Sequence, residues 1–341
     1  MTSPDRRAFL SYLLGSVTLT VALPEALAGA DARWRQGSGD AGGADSTAHE
    51  NWDGTRAPGG ISALRQDRKD EAYWHRVKEQ FSLAPGLILM NAANLCPSPY
   101  SVQEAVFGLT RDVNRDASFQ NRGKFEVLRE EARTAMANCA GASPAEIAIT
   151  RNTSEGNNTV VNGLDLGPGD EVVLWDQNHP TNNISWDVRA RRLGFSVIRV
   201  STPPAVGDPD RLLGIFLDAF TPRTRVLAFS HLSNVSGVAL PARELCVEAR
   251  RRGILTLVDG AQTFGAIALN LPAMGCDFFT ASSHKWFMGP KEAGLLFVRE
   301  ESQERLWPSH VGVGWESAEA SGARKFENMG QRDDAAVAAM A

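Results

Sequence analysis

The 341-residue sequence has few cysteines, almost no excess charge of either sign, and no apolar run long enough to cross a bilayer. Its four cysteines, Cys96, Cys139, Cys246 and Cys276, are widely separated and form no C-x-x-C pair. That spacing excludes a zinc module, so no metal ligand set is expected. A chain of this size has no need of a disulfide framework even when exported. Lys plus Arg number 35 against 40 Asp plus Glu, a formal net charge of -5. This balance makes no electrostatic case for nucleic acid or for an anionic membrane surface. The arginines of Arg189–Arg192 and Arg250–Arg252 have no interleaved aromatics and read as solvated helix faces, so no nucleic-acid partner is expected. Internal repeats are also absent. What remains is an ordinary globular composition, 43% hydrophobic and 22% charged, at a length that suits two domains or one large α/β unit.

The amino-terminal end has its own character. Arg6 and Arg7 precede Ala8-Phe9-Leu10, then a mostly apolar run from Leu13 to Leu27, and Ala26-Leu27-Ala28 offers a small-x-small cleavage site. Residues 1–30 therefore read as an export signal resembling the twin-arginine type, with a periplasmic or extracellular destination. No stable membrane insertion is expected after its removal; a misassigned start, a simple membrane anchor and a cytoplasmic location are the alternatives. Residues 31–70, with Gly37-Ser38-Gly39-Asp40-Ala41-Gly42-Gly43 and Ala57-Pro58-Gly59-Gly60, lack periodic apolar positions and read as a flexible linker.

Beyond the linker, apolar runs alternate with amphipathic stretches. Strands are expected at Glu146–Thr150, Glu171–Trp175, Ser196–Val200, Arg225–Phe229, Ile254–Asp259, Asp277–Ser282 and Ala293–Val298. Helices are expected at Thr181–Leu193, Pro209–Ala219 and Pro241–Arg252, with Pro241 in the first turn and Gly253 at the stop. Near-continuous apolar strands separated by helices predict a mainly parallel seven-stranded sheet covered on both faces. The last two strands are joined by a non-helical segment, so the parallel rule does not extend to that pair. Ligands of such sheets gather at the carboxyl ends of the strands.

Two of those ends carry chemistry. Val258-Asp259-Gly260-Ala261-Gln262 closes one strand and Ser282-Ser283-His284-Lys285-Trp286 the next. Taken singly, Asp259 suits a helix-capping carboxylate and Lys285 a solvated surface amine. Taken together, they are the two protein groups that pyridoxal 5'-phosphate requires: an amine for a Schiff base and a carboxylate for the pyridinium nitrogen. Upstream, Thr150-Arg151-Asn152-Thr153-Ser154-Glu155-Gly156-Asn157 leaves a strand and opens a helix, where backbone N–H groups and the hydroxyls of Thr153 and Ser154 suit an anion; an ordinary capped helix fits the same residues.

Asp259-Gly260-Ala261-Gln262, Ser282-Ser283-His284-Lys285 and Gly289-Pro290-Lys291-Glu292-Ala293-Gly294 resemble the class V aminotransferase family, which includes cysteine desulfurases and isopenicillin N epimerase-like enzymes. Asn91-Ala92-Ala93-Asn94, Thr153, Asn178-His179-Pro180 and His231-Leu232-Ser233-Asn234-Val235-Ser236-Gly237 match further elements in the family's order, over residues 85–341. The resemblance implies a fold-type I pyridoxal-phosphate enzyme acting on an amino acid, and a homodimer. It implies a contribution to a small domain from 71–110, a large cofactor domain over 111–308, and the start of a carboxyl-terminal small domain over 309–341. By the same resemblance Lys285 would carry the cofactor, Asp259 would meet the ring nitrogen and His179 would stack on the ring. Gln262 and Asn234 would meet the ring hydroxyl, while Thr153, Asn152, Ser154, Ser282 and His284 would hold the phosphate. Asn91, Asn94 and Arg122 are candidates to line the substrate pocket, although a turn and a helix connection explain them equally well.

Two departures stand out. Relatives continue well past the equivalent of Gly330-Gln331-Arg332-Asp333, so the arginine that grips the substrate carboxylate is expected beyond Ala341; within the chain only Arg332 and Arg122 are loose candidates. Gln331 stands where the family commonly places a threonine that reaches the neighbouring subunit's phosphate. The expectation is an aminotransferase or epimerase-type enzyme. The alternatives are a cysteine desulfurase or lyase of the same fold, and a truncated, catalytically silent exported protein.

Overall fold

The computed structural model describes residues 71–203 and 207–341. The expected export signal over 1–30 and linker over 31–70 lie outside the described residues. Each apolar run forms a strand: β1 Ile147–Thr150, β2 Glu171–Trp175, β3 Ser196–Val200, β4 Thr224–Ser230, β5 Leu255–Asp259, β6 Phe278–Ser282 and β7 Gly294–Val298. These fall within one residue of the expected bounds, because most of the strands are buried on both faces and leave an apolar signature; the edge strand β3, with Ser196 and Arg199 exposed, is the exception. The helices are α1 Glu71–Lys78, α2 Tyr100–Arg115, α3 Phe119–Arg122, α4 Lys124–Ala140, α5 Thr153–Gly163, α6 Pro180–Leu193, α7 Pro209–Leu217, α8 Ala242–Arg251, α9 Leu271–Met274, α10 Trp315–Glu319 and α11 Asp334–Ala338. Pro241 stands just outside α8 rather than in its first turn: its carbonyl accepts the Leu245 N–H at 3.0 Å, so it opens the ladder from the flanking position. Among the described residues no helix is long and apolar enough to cross a membrane.

The strand order is β1-β7-β6-β5-β4-β2-β3. Strands β2 to β6 pair in parallel, whereas β7 runs antiparallel between β6 and β1. The turn through Lys285 is too short to carry the chain back across the sheet, and the return strand therefore runs the other way. Alternate side chains feed two cores. Val173, Trp175 and Val258 pack with Met136 of α4, Phe216 of α7, Leu245 of α8 and Val337 of α11. Val172, Leu174 and Leu257 pack on the other face with Val160 of α5 and Trp186 of α6. The parallel arrangement brings the carboxyl ends of β4, β5 and β6, namely Ser230, Asp259 and Ser282, to one edge. Two antiparallel steps turn β1 the same way, so Thr150 joins them.

Among the described residues no strand lies beside the outer edge of β1, and side chains seal it instead. Arg133 Nη1 donates to the Ile147 carbonyl at 2.8 Å, the Ile149 N–H donates to Glu327 Oε2 at 2.7 Å, and Arg332 Nη1 donates to the Ile149 carbonyl at 3.0 Å. Unpaired edge groups invite pairing with other chains, and this belt removes the invitation. Arg133 is fully buried, and its guanidinium reaches both Glu327 oxygens, at 2.7 and 2.8 Å. Burial opposes its charge, but the bonds to Glu327 and Glu130 together outweigh it and the guanidinium holds its proton more firmly than usual. Removing Glu327 leaves Arg133 with Glu130 alone and leaves the Ile149 N–H without its acceptor. Glu327→Ala should cost about 3–5 kcal/mol in urea unfolding, and the double change Arg133→Met with Glu327→Leu should cost clearly less.

Candidate functional site

Asp259 ends β5 opposite Thr280 of β6 and is buried. Its Oδ1 accepts the Ala261 N–H at 3.1 Å, and its Oδ2 accepts Asn157 Nδ2 at 2.9 Å. Its carbonyl accepts the His231 N–H at 3.0 Å, which ties the end of β4 to the end of β5. The carboxylate is thus gripped by neutral donors, which fix its orientation without cancelling its charge.

Lys285 lies three residues past β6 on a loop with several clamps. Met288 N–H donates to the Lys285 carbonyl at 2.9 Å and Gly289 N–H to the Ser283 carbonyl at 2.8 Å. Met288 sits at φ 59°, a left-handed backbone that an unbranched non-glycine residue adopts at some cost and keeps only when its surroundings insist. Trp286 Nε1 donates to Gln262 Oε1 at 2.7 Å, and the Phe287 ring stacks on Phe264 with centroids 4.6 Å apart. The lysine is half-buried on this fixed loop. Burial pulls its pKa below the ordinary lysine value, and the charge of Asp259 pulls back only in part. A desolvated amine that sheds its proton readily is a nucleophile and a base.

The hydroxyls lie at the amino terminus of α5. The Thr153 N–H donates to Ser282 Oγ at 2.7 Å, and the Thr153 and Ser282 hydroxyls are hydrogen-bonded at 2.7 Å. This close approach needs Gly294, which pairs with both Thr150 and Ser282: a Cβ there would stand 3.2 Å from Asn152 Cα and 3.3 Å from Thr150 Oγ1. Next to the lysine, His284 Nδ1 is buried without a partner, and burial followed by the Lys285 charge lowers its pKa. His231 Nδ1 is likewise buried and unpartnered, and burial lowers its pKa too.

The structure therefore gathers Lys285, Asp259, Thr153, Ser282 and His284, while other candidates are engaged elsewhere. Asn152 caps α5, its side chain accepting the Glu155 N–H at 3.0 Å, and Ser154 follows it half-buried in the first turn. Gln262 gives one amide hydrogen to the Ala93 carbonyl at 3.0 Å and its oxygen to Trp286, leaving one N–H for a ligand. His179 is exposed and caps α6, Nδ1 accepting the Thr181 N–H at 3.3 Å. Asn234 is exposed in the turn that the Ser233 hydroxyl closes. Asn91 and Asn94 are exposed, and Arg122 Nη1 donates to Gln331 Oε1 at 3.3 Å. Arg332 gives Nη1 to the β1 edge, and its Nη2 is buried without a partner. Asn157 and Thr280 are partners that sequence reasoning missed, although Asn157 follows Thr153 by four positions on one helix and so shares its face.

A model of the aminotransferase class-V family matches residues 103–332. Isopenicillin N epimerase of Amycolatopsis lactamdurans is 36% identical over 246 residues, 71% of this chain and 61% of that protein. The Streptomyces clavuligerus isopenicillin N epimerase is 32% identical over 251 residues, 74% of this chain and 63% of its own length. A probable cysteine desulfurase of Methanothermobacter thermautotrophicus is 33% identical, covering 70% and 59%. The chain thus spans about three-fifths of the length of these curated relatives. Among solved structures, the cysteine desulfurase CsdA of Escherichia coli aligns with a TM-score of 0.66 at 26% identity over 78% of this chain and 69% of that one. A C-DES variant with glycine covalently linked to its PLP cofactor shares the fold, with a TM-score of 0.72 at 24% identity over 77% and 71%.

The depressed Lys285 pKa sets a stability signature. Between that lowered value and the ordinary lysine value the unfolded chain binds more protons than the folded one, so folding gains stability as pH rises through the window and loses it as pH falls. Urea midpoints of cofactor-free protein should rise across this alkaline range, and Lys285→Met should flatten that part of the profile.

Proposed function

Because the chain belongs to the class V aminotransferase family, we propose that it is a pyridoxal-phosphate-dependent enzyme acting on an amino acid through Lys285, of aminotransferase or epimerase type. One observation carries this reading: at the strand ends a desolvated lysine amine lies within electrostatic reach of a carboxylate that neutral donors hold in place. The donor set suits the cofactor's three demands. Lys285 offers the amine, Asp259 the partner for a ring nitrogen, and Thr153 with Ser282 at the start of α5 the seat for a phosphate. The unpartnered Nδ1 of His284 adds a buried polar atom that lacks only a ligand. His179 and the free N–H of Gln262 are assigned to the ring on family resemblance.

When bound, pyridoxal phosphate supplies an electron-withdrawing ring that acidifies the α-hydrogen of an attached amino acid. Lys285 Nζ, whose lowered proton affinity favours the free amine and whose clamped loop aims it, would take and return that proton at the substrate α-carbon. Asp259 would hold the ring nitrogen, its orientation fixed by the Ala261 N–H and the Asn157 amide. Return of the proton to the opposite face of the α-carbon would give epimerisation, and the two epimerases among the relatives support that branch. Export by the Arg6-Arg7 signal and assembly as a homodimer belong to the same proposal, on the sequence pattern and the family respectively.

The purified protein should take up pyridoxal phosphate with a yellow colour that borohydride fixes to the peptide containing Lys285. Lys285→Ala should lose that label, whereas a colourless protein or a label elsewhere contradicts the reading. With amino-acid substrate, exchange of the α-hydrogen for solvent deuterium should fall at least about 100-fold in Lys285→Ala, the usual scale for losing a positioned base.

A further inference from the structure

Asn157 lies in the second turn of α5, is buried, and touches two strands at once. Its Nδ2 donates to Asp259 Oδ2 at 2.9 Å, and its Oδ1 accepts the Thr280 hydroxyl at 2.7 Å. Thr280 is fully buried and stands directly across from Asp259 in the β5–β6 register. The three side chains therefore form a directed line: hydroxyl to amide, amide to carboxylate. The direction is enforced. A flipped amide would turn its oxygen onto the carboxylate, acceptor against acceptor, and would leave the Thr280 proton without its partner.

The approach of α5 is also specific. Gly156 faces β6, where a Cβ would stand 2.8 Å from Thr280 Cγ2 and force the helix away. Glycine lowers helix stability, and its use at an interior helical position is explained by the contact it permits. Once the helix is that close, Asn157 spans the gap from β6 to Asp259 without strain.

Resting on the reading of Lys285 and Asp259 as the cofactor pair, we propose that Asn157, set in register by Thr280, is a positioning residue that points the Asp259 carboxylate at Lys285 and at the cofactor's ring nitrogen. Each Asp259 oxygen accepts one bond from the protein, so each retains a lone pair for that task. A neutral amide suits the role, whereas a cationic donor would screen the charge that Lys285 and the ring are meant to meet.

The test compares Thr280→Val, which keeps the shape and removes the donor, with Thr280→Ser, which restores it, and with Asn157→Leu; Asp259→Ala sets the limit. Two readouts are taken on folded protein. The first is the affinity of the cofactor-free protein for pyridoxal phosphate, followed by absorbance. The second needs no cofactor: the pH midpoint at which a small amine reagent labels Lys285, located by peptide mass. Asp259 raises the Lys285 pKa, so a misdirected carboxylate must move that midpoint to lower pH. Thr280→Val and Asn157→Leu should weaken cofactor binding about 10-fold or more, the scale of a lost bond to a charged group. Both should shift the midpoint in the direction of Asp259→Ala, and Thr280→Ser should return both values to wild type. If Thr280→Val and Asn157→Leu leave both readouts at wild-type values, the positioning role is overturned. If wild-type protein binds no pyridoxal phosphate, the functional reading fails by itself, and the midpoint still decides whether Asn157 and Thr280 aim Asp259 at Lys285.

Discussion

The constraint on which the rest depends is the strand register that brings the Asp259 carboxylate within electrostatic reach of the half-buried Lys285 amine. Desolvation lowers the proton affinity of the amine, while the buried carboxylate is held by the Ala261 N–H and the Asn157 amide. Their joint placement follows from backbone registration: β5 and β6 run parallel, Asp259 closes the first, and Lys285 follows the second after a three-residue extension. The pair is thus a consequence of the sheet, and the helices supply its trim.

Rigidity around the lysine comes from segments distant in sequence. Gln262 bonds the Ala93 carbonyl, Cys96 N–H donates to the His284 carbonyl at 2.8 Å, and Ser98 Oγ donates to the Gly289 carbonyl at 2.9 Å. The segment around 93–98 is thereby laced to the loop that carries Lys285, with Ala93 and Gln262 meeting across 169 positions of sequence. Such long closures cost little more entropy than shorter ones, since loop closure grows only logarithmically with length. An amine held this way has little freedom left to lose when it meets a ligand, which is the advantage that preorganisation confers.

Most of the sheet was legible because a strand buried on both faces announces itself as an apolar run, as in Val172-Val173-Leu174-Trp175, whereas the edge strand Ser196–Val200 carries exposed positions and rested on its β-branched residues. The nearness of Lys285 to Asp259 was legible because each follows or ends one of two adjacent apolar strands. What stayed hidden depends on pairing across the fold. No pattern along the chain shows that Asn157 faces Thr280, or that Gln262 divides its amide between Ala93 and Trp286. The uses of Asn152 and Arg332 were hidden for a related reason: orphan backbone groups at a helix start and at a sheet edge claim nearby polar side chains, and this local demand captured residues that a motif match offers to a ligand. Arg122 and Gln331, separate puzzles in the sequence, turn out to be each other's partners.

A crystal structure of the protein with pyridoxal phosphate is the most direct test of this account. It should show continuous density from Lys285 Nζ to the cofactor, with the Asp259 carboxylate within hydrogen-bonding distance of the ring nitrogen. Cofactor joined to Lys291 or another lysine, or a ring seated out of reach of Asp259, would contradict it.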